Sequence, residues 1–235
     1  MNAINTMMYT ELQDCLHRER VNETTSVLML TGAGPYFSSG NDLSGFAAAL
    51  GSGMTPAQLA DGAFDIMVPF VDAFIEFDKP LVAAVNGPAV GIGCSSLGLC
   101  DLVLASDNAT FVTPFTRLGQ SAEACSSFTF PRLMGSSKAA EMILFNKKIT
   151  SVQAQSAGLV ADVFPQGEFN QRALDRILEY ASNPPKSLAY SKQLIRPASE
   201  VENLKRINRV EAERLRERWA SDDCFEAIMN FMMRK

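Results

Sequence analysis

Three short apolar runs set the architecture predicted for the first half of the chain. Residues 26–31, 81–85 and 101–105 are nearly continuous in apolar side chains, which is typical of strands buried on both faces of a sheet. Segments with helical periodicity lie between and around them. Strands that alternate with helices predict right-handed crossover connections and a mostly parallel sheet. The pattern therefore indicates an α/β protein.

Helical spacing of apolar positions predicts three helices beside these strands. The first covers residues 5–20, and a short one is predicted over 92–99. The third, over 55–78, is introduced by Thr55 and Pro56, an N-cap residue followed by proline at the first helical position. Each of these helices would cover one side of the predicted sheet.

The second half of the chain is predicted to be helical almost throughout. From about Ser121 the periodicity is helical, and two clear helices are expected over residues 201–219 and 222–233. We therefore divide the chain into an α/β core over residues 1–180 and a helical C-terminal region over 181–235.

Composition narrows the classes of function. The 235 residues carry a formal net charge of -5, with 47% hydrophobic and 20% charged residues, an ordinary globular mixture. Negative charge argues against general affinity for nucleic acid or for anionic membrane surfaces. No apolar run reaches the roughly 18 residues that a membrane-spanning helix needs. The N-terminal residues lack the pattern of a secretory signal.

The cysteine and histidine content argues against a disulfide framework and against several kinds of metal site. An odd number of cysteines without a CxxC pair fits neither a disulfide framework nor a zinc site, so we expect no metal centre. The one histidine, His17, lies among charged residues and is expected at the surface. Chemistry must then come from carboxylates, hydroxyls, amides or the backbone. The cysteines are Cys15, Cys94, Cys100, Cys125 and Cys224.

Two glycine-rich loops are the first candidates for a binding site. Residues 31–43 follow the first predicted strand, but they have neither the GKS/T ending of a nucleotide P-loop nor GxGxxG spacing. Residues 86–94 follow the second strand and lead into a predicted helix, whose start presents free N–H groups to a negative atom. Each loop alone is equally compatible with a plain connection.

Taken together and in order, these segments resemble the crotonase, or enoyl-CoA hydratase/isomerase, superfamily. The resemblance covers nearly the whole chain, except that the family's first strand is expected to be missing from it. It implies a crotonase-like spiral of ββα units with a C-terminal helical region used in trimer formation. The matching stretches are FSSGNDL at 37–43, KPLVAAVNGPAVG at 79–91, CDLVLA at 100–105, ATF at 109–111 and AQSAGLV at 154–160.

The resemblance implies an oxyanion hole built from two backbone N–H groups. By position these belong to Asn41 and Ile92. Two fixed donors in a dry pocket stabilise the negative charge that develops on a thioester oxygen, and losing one such donor costs roughly 3–4 kcal/mol. The residues that the resemblance assigns to contacts with the acyl-CoA substrate are Ser39, Gly40, Asn41, Asp42, Leu43, Gly91 and Phe115.

The identity of the base distinguishes reactions within the superfamily. Hydratases use two glutamates, and the matching positions here hold Ser95 and Phe115, neither of which is a carboxylate. Glu123 is the only carboxylate between Ala109 and Leu133. Without the resemblance, the lesser alternative is a glutamate that supports a helix N-terminus. The segment around it resembles peroxisomal-type Δ3,Δ2-enoyl-CoA isomerases, in which the equivalent glutamate is the base.

The expected reaction moves a double bond from C3 to C2 of an unsaturated fatty acyl-CoA in β-oxidation. Glu123 would take a proton from C2 and return one at C4, with no metal or redox cofactor, since coenzyme A is part of the substrate. Apolar surroundings should raise the pKa of Glu123 toward neutral pH. Candidates for the coenzyme A phosphates are Lys186, Lys192, Arg196 and Lys235.

Other readings of the same resemblance stay open. Chromodomain-Y-like corepressors carry a similar domain without catalysis, so an acyl-CoA-binding or scaffold role is the main alternative, and another crotonase enzyme such as a hydratase is the second. Glu123 and an intact SGND at 39–42 favour catalysis. A homotrimer or hexamer in a peroxisome or mitochondrion is expected, although the chain carries no targeting signal.

Overall fold

The computed structural model describes residues 1–45 and 53–233. Seven strands occur in this part of the chain, and together with the helices they confirm the α/β prediction. The strands are β1 (Leu28–Thr31), β2 (Leu81–Val85), β3 (Ala89–Val90), β4 (Leu102–Ser106), β5 (Thr110–Val112), β6 (Ile149–Thr150) and β7 (Asp162–Phe164).

The helices confirm the predicted periodicity. Their bounds are α1 (Thr6–Val21), α2 (Pro56–Glu76), α3 (Ile92–Ser95), α4 (Ser126–Met134), α5 (Ser136–Ile143), α6 (Ser151–Ala157), α7 (Phe169–Ala181), α8 (Pro185–Ile195), α9 (Ala198–Trp219) and α10 (Asp222–Met233). Two 3-10 turns follow α3 and β5, at Ser96–Leu99 and Thr116–Leu118. The start of α2 is a complete capping box, in which Thr55 and Gln58 bond each other's backbone N–H groups.

A four-stranded parallel sheet in the order β1-β2-β4-β7 forms the centre of the molecule. A smaller sheet, β3-β5-β6, stands beside it and pairs β3 with β5 in parallel. Strand pairs β2–β3 and β4–β5 are each followed by helical segments, which are the ββα units of the predicted spiral. Two- and three-residue strands such as β3 and β7 carry too little pattern to be read from sequence.

Both faces of the central sheet are covered, which explains the continuous apolar runs of its strands. Ala83 and Val85 face a cluster that includes residues of α4, α5 and α6, whereas Val82 and Ala84 face Phe169 and its neighbours on α7. A third cluster joins α1 and α2 to α9 and α10. The C-terminal helices therefore complete a core that begins with the first helix of the chain.

Candidate active site

The two glycine-rich loops lie side by side, held by backbone hydrogen bonds. Phe37 and Ser38 donate their N–H groups to the carbonyl of Pro88 at 3.1 and 3.2 Å. The N–H of Val90 donates to the Ser38 carbonyl at 3.0 Å. Gly40, with φ +83°, lies so close that an added β carbon would be 2.8 Å from the Val90 carbonyl oxygen. Glycine is required there both by its backbone conformation and by this close approach.

The first residues of the chain hold the first loop from its other side. Ile4 donates its N–H to the Gly40 carbonyl at 2.8 Å, and Asp42 donates to the Ile4 carbonyl at 3.0 Å. This short parallel pairing turns the intervening N–H of Asn41 away from Ile4. Within residues 1–45 and 53–233, no backbone hydrogen bond uses the Asn41 N–H.

The second predicted donor stands at the start of α3. Ile92 is buried and is the first residue of that helix, where N–H groups have no intrahelical acceptor. Its predecessor Gly91 adopts φ 54° and ψ −126° and accepts from Cys94 and Ser95 at 2.8 and 2.9 Å. The α carbon of Gly40 lies only 3.9 Å from the place of a β carbon on Gly91. The two candidate oxyanion donors therefore lie on adjoining loops.

Glu123 is a buried carboxyl group on an irregular segment before α4. Only 5% of its surface is exposed, and no hydrogen bond within the described part of the chain reaches its carboxylate. Burial raises the pKa of Glu123 to about 8, and the negative charge of Glu211 adds to the rise. The expected upward shift is thus present, and it places proton exchange near neutral pH.

The chain reaches α4 through a left-handed turn. Ala124 and Cys125 have φ values of 54° and 60°, an uncommon conformation for residues other than glycine. The carboxylate of Glu211, on α9, accepts the N–H groups of Cys125 and Ser127 at 2.6 and 2.8 Å. The helical pattern predicted from about Ser121 is interrupted here, because the backbone bends sharply beside Glu123.

Tyr9 connects the candidate base with the first loop. This buried side chain of α1 donates its hydroxyl to Asn41 Oδ1 at 3.0 Å. Burial raises the pKa of Tyr9, and the charge of Glu123 raises it further, so the phenol lies near both groups. Tyr9, Ile92 and Ala124 also belong to one apolar cluster. Tyr9 therefore links the first loop to the apolar cluster that contains Ile92 and the turn beside Glu123.

A cavity of about 290 Å³ opens between the first loop, α1, α2 and the C-terminal helices. Asn41, Asp42 and Leu43 lie on its wall, and that they bind substrate stays a prediction. The wall is mainly apolar, which suits a hydrocarbon chain. Other residues of the wall include Ile4, Tyr9, Ile66, Met67, Trp219 and Ile228.

The remaining residues predicted to contact the substrate do not line this cavity. Ser39 donates its N–H to the Met1 carbonyl at 3.0 Å, while Gly40 and Gly91 form the junction of the loops. Phe115, expected in the acyl tunnel, is 2% exposed and is absent from the wall of this cavity. Ser95 is fully buried, with its hydroxyl donating to Gly91 at 3.2 Å. The two positions where hydratases have glutamates are therefore interior and uncharged.

Two of the residues proposed to bind the coenzyme A phosphates instead make ion pairs and hydrogen bonds within the protein. The buried Lys192 ammonium lies 2.7 Å from Asp101 and donates to the Lys79 carbonyl at 2.6 Å. Arg196 donates to the Leu99 carbonyl at 2.9 Å. Their assignment to phosphate is therefore corrected to a structural role. Lys186 is exposed, and Lys235 lies outside the described residues.

Two residues of the site escaped the sequence analysis. Tyr9 occupies one position of an amphipathic helix and resembles ordinary core packing. Glu211 is one of many charged residues on α9 and has the appearance of a solvated side chain. Only its apolar neighbours Ala212 and Leu215, both fully buried, indicate that this part of the helix faces inward.

The described residues contain neither a metal-ion cluster nor a membrane-spanning helix. Within residues 1–45 and 53–233, no group of three or more histidine, cysteine, aspartate or glutamate side chains is arranged to hold a metal ion. Over the same residues, no helix has the length and apolarity needed to cross a bilayer.

Curated relatives agree with the geometry. The chain is 50% identical over 234 residues to enoyl-CoA delta isomerase 2 of Rattus norvegicus and 46% identical over 237 residues to the Homo sapiens protein. It is covered completely in both alignments but spans 59% and 58% of those proteins. It is also 41% identical to the peroxisomal enoyl-CoA delta isomerase 3 of Mus musculus, of which it covers 72%.

Solved structures and a family model complete the comparison. An enoyl-CoA hydratase/isomerase from Pseudoalteromonas atlantica T6c superposes with a TM-score of 0.86 at 33% identity, over 99% of this chain and 89% of that one. An enoyl-CoA hydratase from Mycobacterium avium subsp. paratuberculosis K-10 gives the same TM-score at 27% identity, over 99% and 87%. The enoyl-CoA hydratase/isomerase family model matches residues 1–235. The chain belongs to the enoyl-CoA hydratase/isomerase family.

Proposed function

We propose that this chain is a Δ3,Δ2-enoyl-CoA isomerase that acts in fatty acid β-oxidation. One observation carries the proposal: Glu123, a buried carboxyl group with a pKa of about 8, is coupled to Tyr9, whose hydroxyl bonds Asn41 of the first glycine-rich loop. The relatives named enoyl-CoA delta isomerase support it, although this chain spans about three-fifths of two of them.

The reaction needs one base and one oxyanion site. The Glu123 carboxylate takes a proton from C2 of the 3-enoyl thioester, and the electron pair of that C–H bond delocalises onto the thioester oxygen. The N–H groups of Asn41 and Ile92 stabilise the resulting dienolate. The Glu123 carboxyl then returns the proton to C4, which leaves the double bond between C2 and C3. Atoms and charge balance, and no metal or redox cofactor takes part.

The same carboxyl group must act as base and then as acid, which gives the pH dependence its sign. Proton removal requires the ionised form, so kcat should rise with pH until Glu123 is ionised, near pH 8 in the free protein. A stopped assay that measures the formation of 2-enoyl-CoA at several pH values gives the rising limb of the profile of kcat against pH. A rate independent of pH over the same range contradicts the role of Glu123.

A scaffold function is the second candidate, because the chain is 39% identical to the testis-specific chromodomain protein Y 1 of Homo sapiens, of which it covers 43%. Such a protein would bind acyl-CoA without turning it over. Glu123 and the intact first loop favour catalysis. Hydration is disfavoured, because Ser95 and Phe115 supply no second carboxylate.

Partner and compartment are part of the proposal. A homotrimer or hexamer that binds fatty acyl-CoA in the peroxisome or mitochondrion fits the family, and one relative is named peroxisomal. Neither nucleic acid nor membrane is proposed as a partner, in keeping with the net charge of -5.

Conversion of 3-hexenoyl-CoA to the 2-trans product tests the function, with wild type, Glu123→Gln and Glu179→Gln compared. Glu179 is an exposed residue of α7 and controls for loss of one carboxylate. We expect turnover by the wild type and the control, and a loss of about a thousandfold or more in Glu123→Gln with acyl-CoA binding retained. Binding by the wild type without turnover would instead support the scaffold function.

A further inference from the structure

Glu211 stands out as a buried carboxylate that the proposed reaction does not use. It lies on α9, far along the chain from the base, and only 6% of its surface is exposed. A carboxylate at such a position is costly unless its oxygens are hydrogen-bonded. Both are: one accepts the Cys125 N–H at 2.6 Å and the other the Ser127 N–H at 2.8 Å.

These two bonds hold the turn that carries the base. Cys125 and Ser127 stand at the start of α4, where backbone N–H groups lack intrahelical acceptors. Cys125 gives no side-chain cap, so Glu211 supplies from another helix what an N-cap side chain normally supplies locally. Glu123 lies two residues before Cys125, and its carbonyl accepts the Ser126 N–H at 3.1 Å. The left-handed turn is thereby fixed at both ends.

The geometry also brings a second negative charge toward Glu123. The pKa of Glu211 is raised by burial, while its two backbone donors favour the ionised form. Its charge in turn raises the pKa of Glu123. Among the described residues, Tyr9 on α1 is also coupled to Glu123, whereas Glu211, Asp72 on α2 and Arg196 act on the neighbouring Cys125.

We infer that Glu211 is a positioning residue for the reaction: its carboxylate locks the turn at Ala124 and Cys125 and so fixes the direction of the Glu123 side chain. Its charge also acts on Glu123, whose pKa it raises. The inference rests on the proposed function, in which Glu123 moves the proton. It assigns to a C-terminal helix a direct part in setting the strength and direction of the base.

The test replaces Glu211 by glutamine, which keeps the shape and one acceptor oxygen but removes the charge. The matched control is Glu213→Gln, an exposed carboxylate two residues further along the same helix. With 3-hexenoyl-CoA as substrate, kcat and KM are measured from about pH 6 to about pH 10. We expect Glu211→Gln to lower kcat about ten- to hundredfold with little change in KM, and to move the rising limb to lower pH. Glu213→Gln should do neither.

A titration that needs no turnover separates this inference from the proposed function. The Glu123 carboxyl carbon is followed by 13C NMR in protein labelled at glutamate, with its signal assigned by its loss in Glu123→Gln. Removal of the Glu211 charge should lower the midpoint of that titration. An unchanged midpoint in folded Glu211→Gln overturns the inference, whether or not the wild type is an isomerase. A lower kcat with an unmoved limb also overturns it, because a purely structural cap gives that result.

Glu211→Asp keeps the inference testable if the glutamine variant does not fold, which circular dichroism would show. Aspartate retains the charge but withdraws the carboxylate by one methylene from Cys125 and Ser127. We expect kcat to fall while the rising limb stays near that of the wild type. Wild-type kcat in Glu211→Asp would show that the position of the turn does not depend on this carboxylate, against the inference.

Discussion

The two halves of the candidate site are held in opposite ways. The candidate base lies inside the protein, where Glu123 is almost inaccessible and its turn is fixed by a side chain from another helix. The first glycine-rich loop lies at the surface, where Asn41 is exposed and backbone pairing from Ile4 and Val90 holds its neighbours. A carboxyl needs burial to become a strong base, whereas an N–H donor only needs direction. We therefore expect substitutions in the loop to act through the position of its backbone N–H groups, and substitutions at Glu123 to act through its charge.

Apart from loss of Glu123 itself, the largest effect on kcat should come from displacing the backbone of the first loop. Gly40→Ala combines a left-handed φ with a contact of 2.8 Å to the Val90 carbonyl, so the loop must move and take the Asn41 N–H with it. We expect kcat to fall by about 10²- to 10³-fold, the loss found when one oxyanion donor is removed. Steady-state kinetics with 3-hexenoyl-CoA measures it.

Gly34→Ala is the matched control for this substitution. Gly34 lies in the same loop and also has a left-handed φ, of 74°, but open space surrounds the position of its β carbon. Equal losses in the two variants would mean that strain alone, rather than displacement of the donor, explains the effect.

The burial of Glu123 should be measurable as a pH dependence of the free energy of unfolding. The folded-state pKa of Glu123 is about 8, above the ordinary value of 4.5, so the folded chain holds this proton more tightly than the unfolded chain. The stability that this proton contributes is complete below about pH 4.5 and is lost as pH rises through about 8. Glu123→Gln, neutral at every pH, should therefore be more stable than wild type at about pH 9 by a few kcal/mol, and similar at about pH 4.

Urea unfolding at the two pH values measures this difference. The exposed Glu179→Gln should show no such dependence. An advantage of Glu123→Gln that is equal at both pH values would mean that the carboxyl is not held protonated by burial.

The smallest effect should arise where the two halves meet. Tyr9→Phe removes the hydroxyl that bonds Asn41 Oδ1 at 3.0 Å but keeps the ring, which packs edge-on against Phe70. We expect a loss of about 1 kcal/mol in the free energy of unfolding and less than about tenfold in kcat. Tyr190→Phe, at an exposed position, serves as the control. A loss in kcat as large as that of Gly40→Ala would show that Tyr9 takes part in the chemistry itself.

The features of this protein that could be predicted from its sequence are those determined by neighbouring residues. The strand at Leu81–Val85 and the helix at Asp222–Met233 were predicted at their observed bounds, because continuous burial and helical spacing are written into neighbouring residues. Glu123 was found by its isolation among apolar and small residues, although its role rests on family resemblance. The raised pKa followed from that same isolation.

Features that depend on distant partners were missed or misread. Lys192 looks like a surface lysine in sequence, yet Asp101, in a different part of the chain, draws it inside. Glu211 is separated by 86 residues from Cys125, whose N–H it accepts, and no periodicity records that pairing. The left-handed turn at Ala124 and Cys125 contains no glycine, so the sequence does not indicate it. Each of these depends on tertiary contacts that override local preference.

The pairing of residues 1–4 with the first glycine-rich loop has a practical consequence for protein engineering. The Met1 carbonyl accepts the Ser39 N–H, and the Asn2 amide donates to the carbonyls of Ala33 and Tyr36. A fluorophore coupled at the exposed Ala3 would lie beside this loop and near the wall of the cavity. Its emission should therefore report when a ligand fills the cavity, whereas protein intended for kinetics should carry no label in this segment.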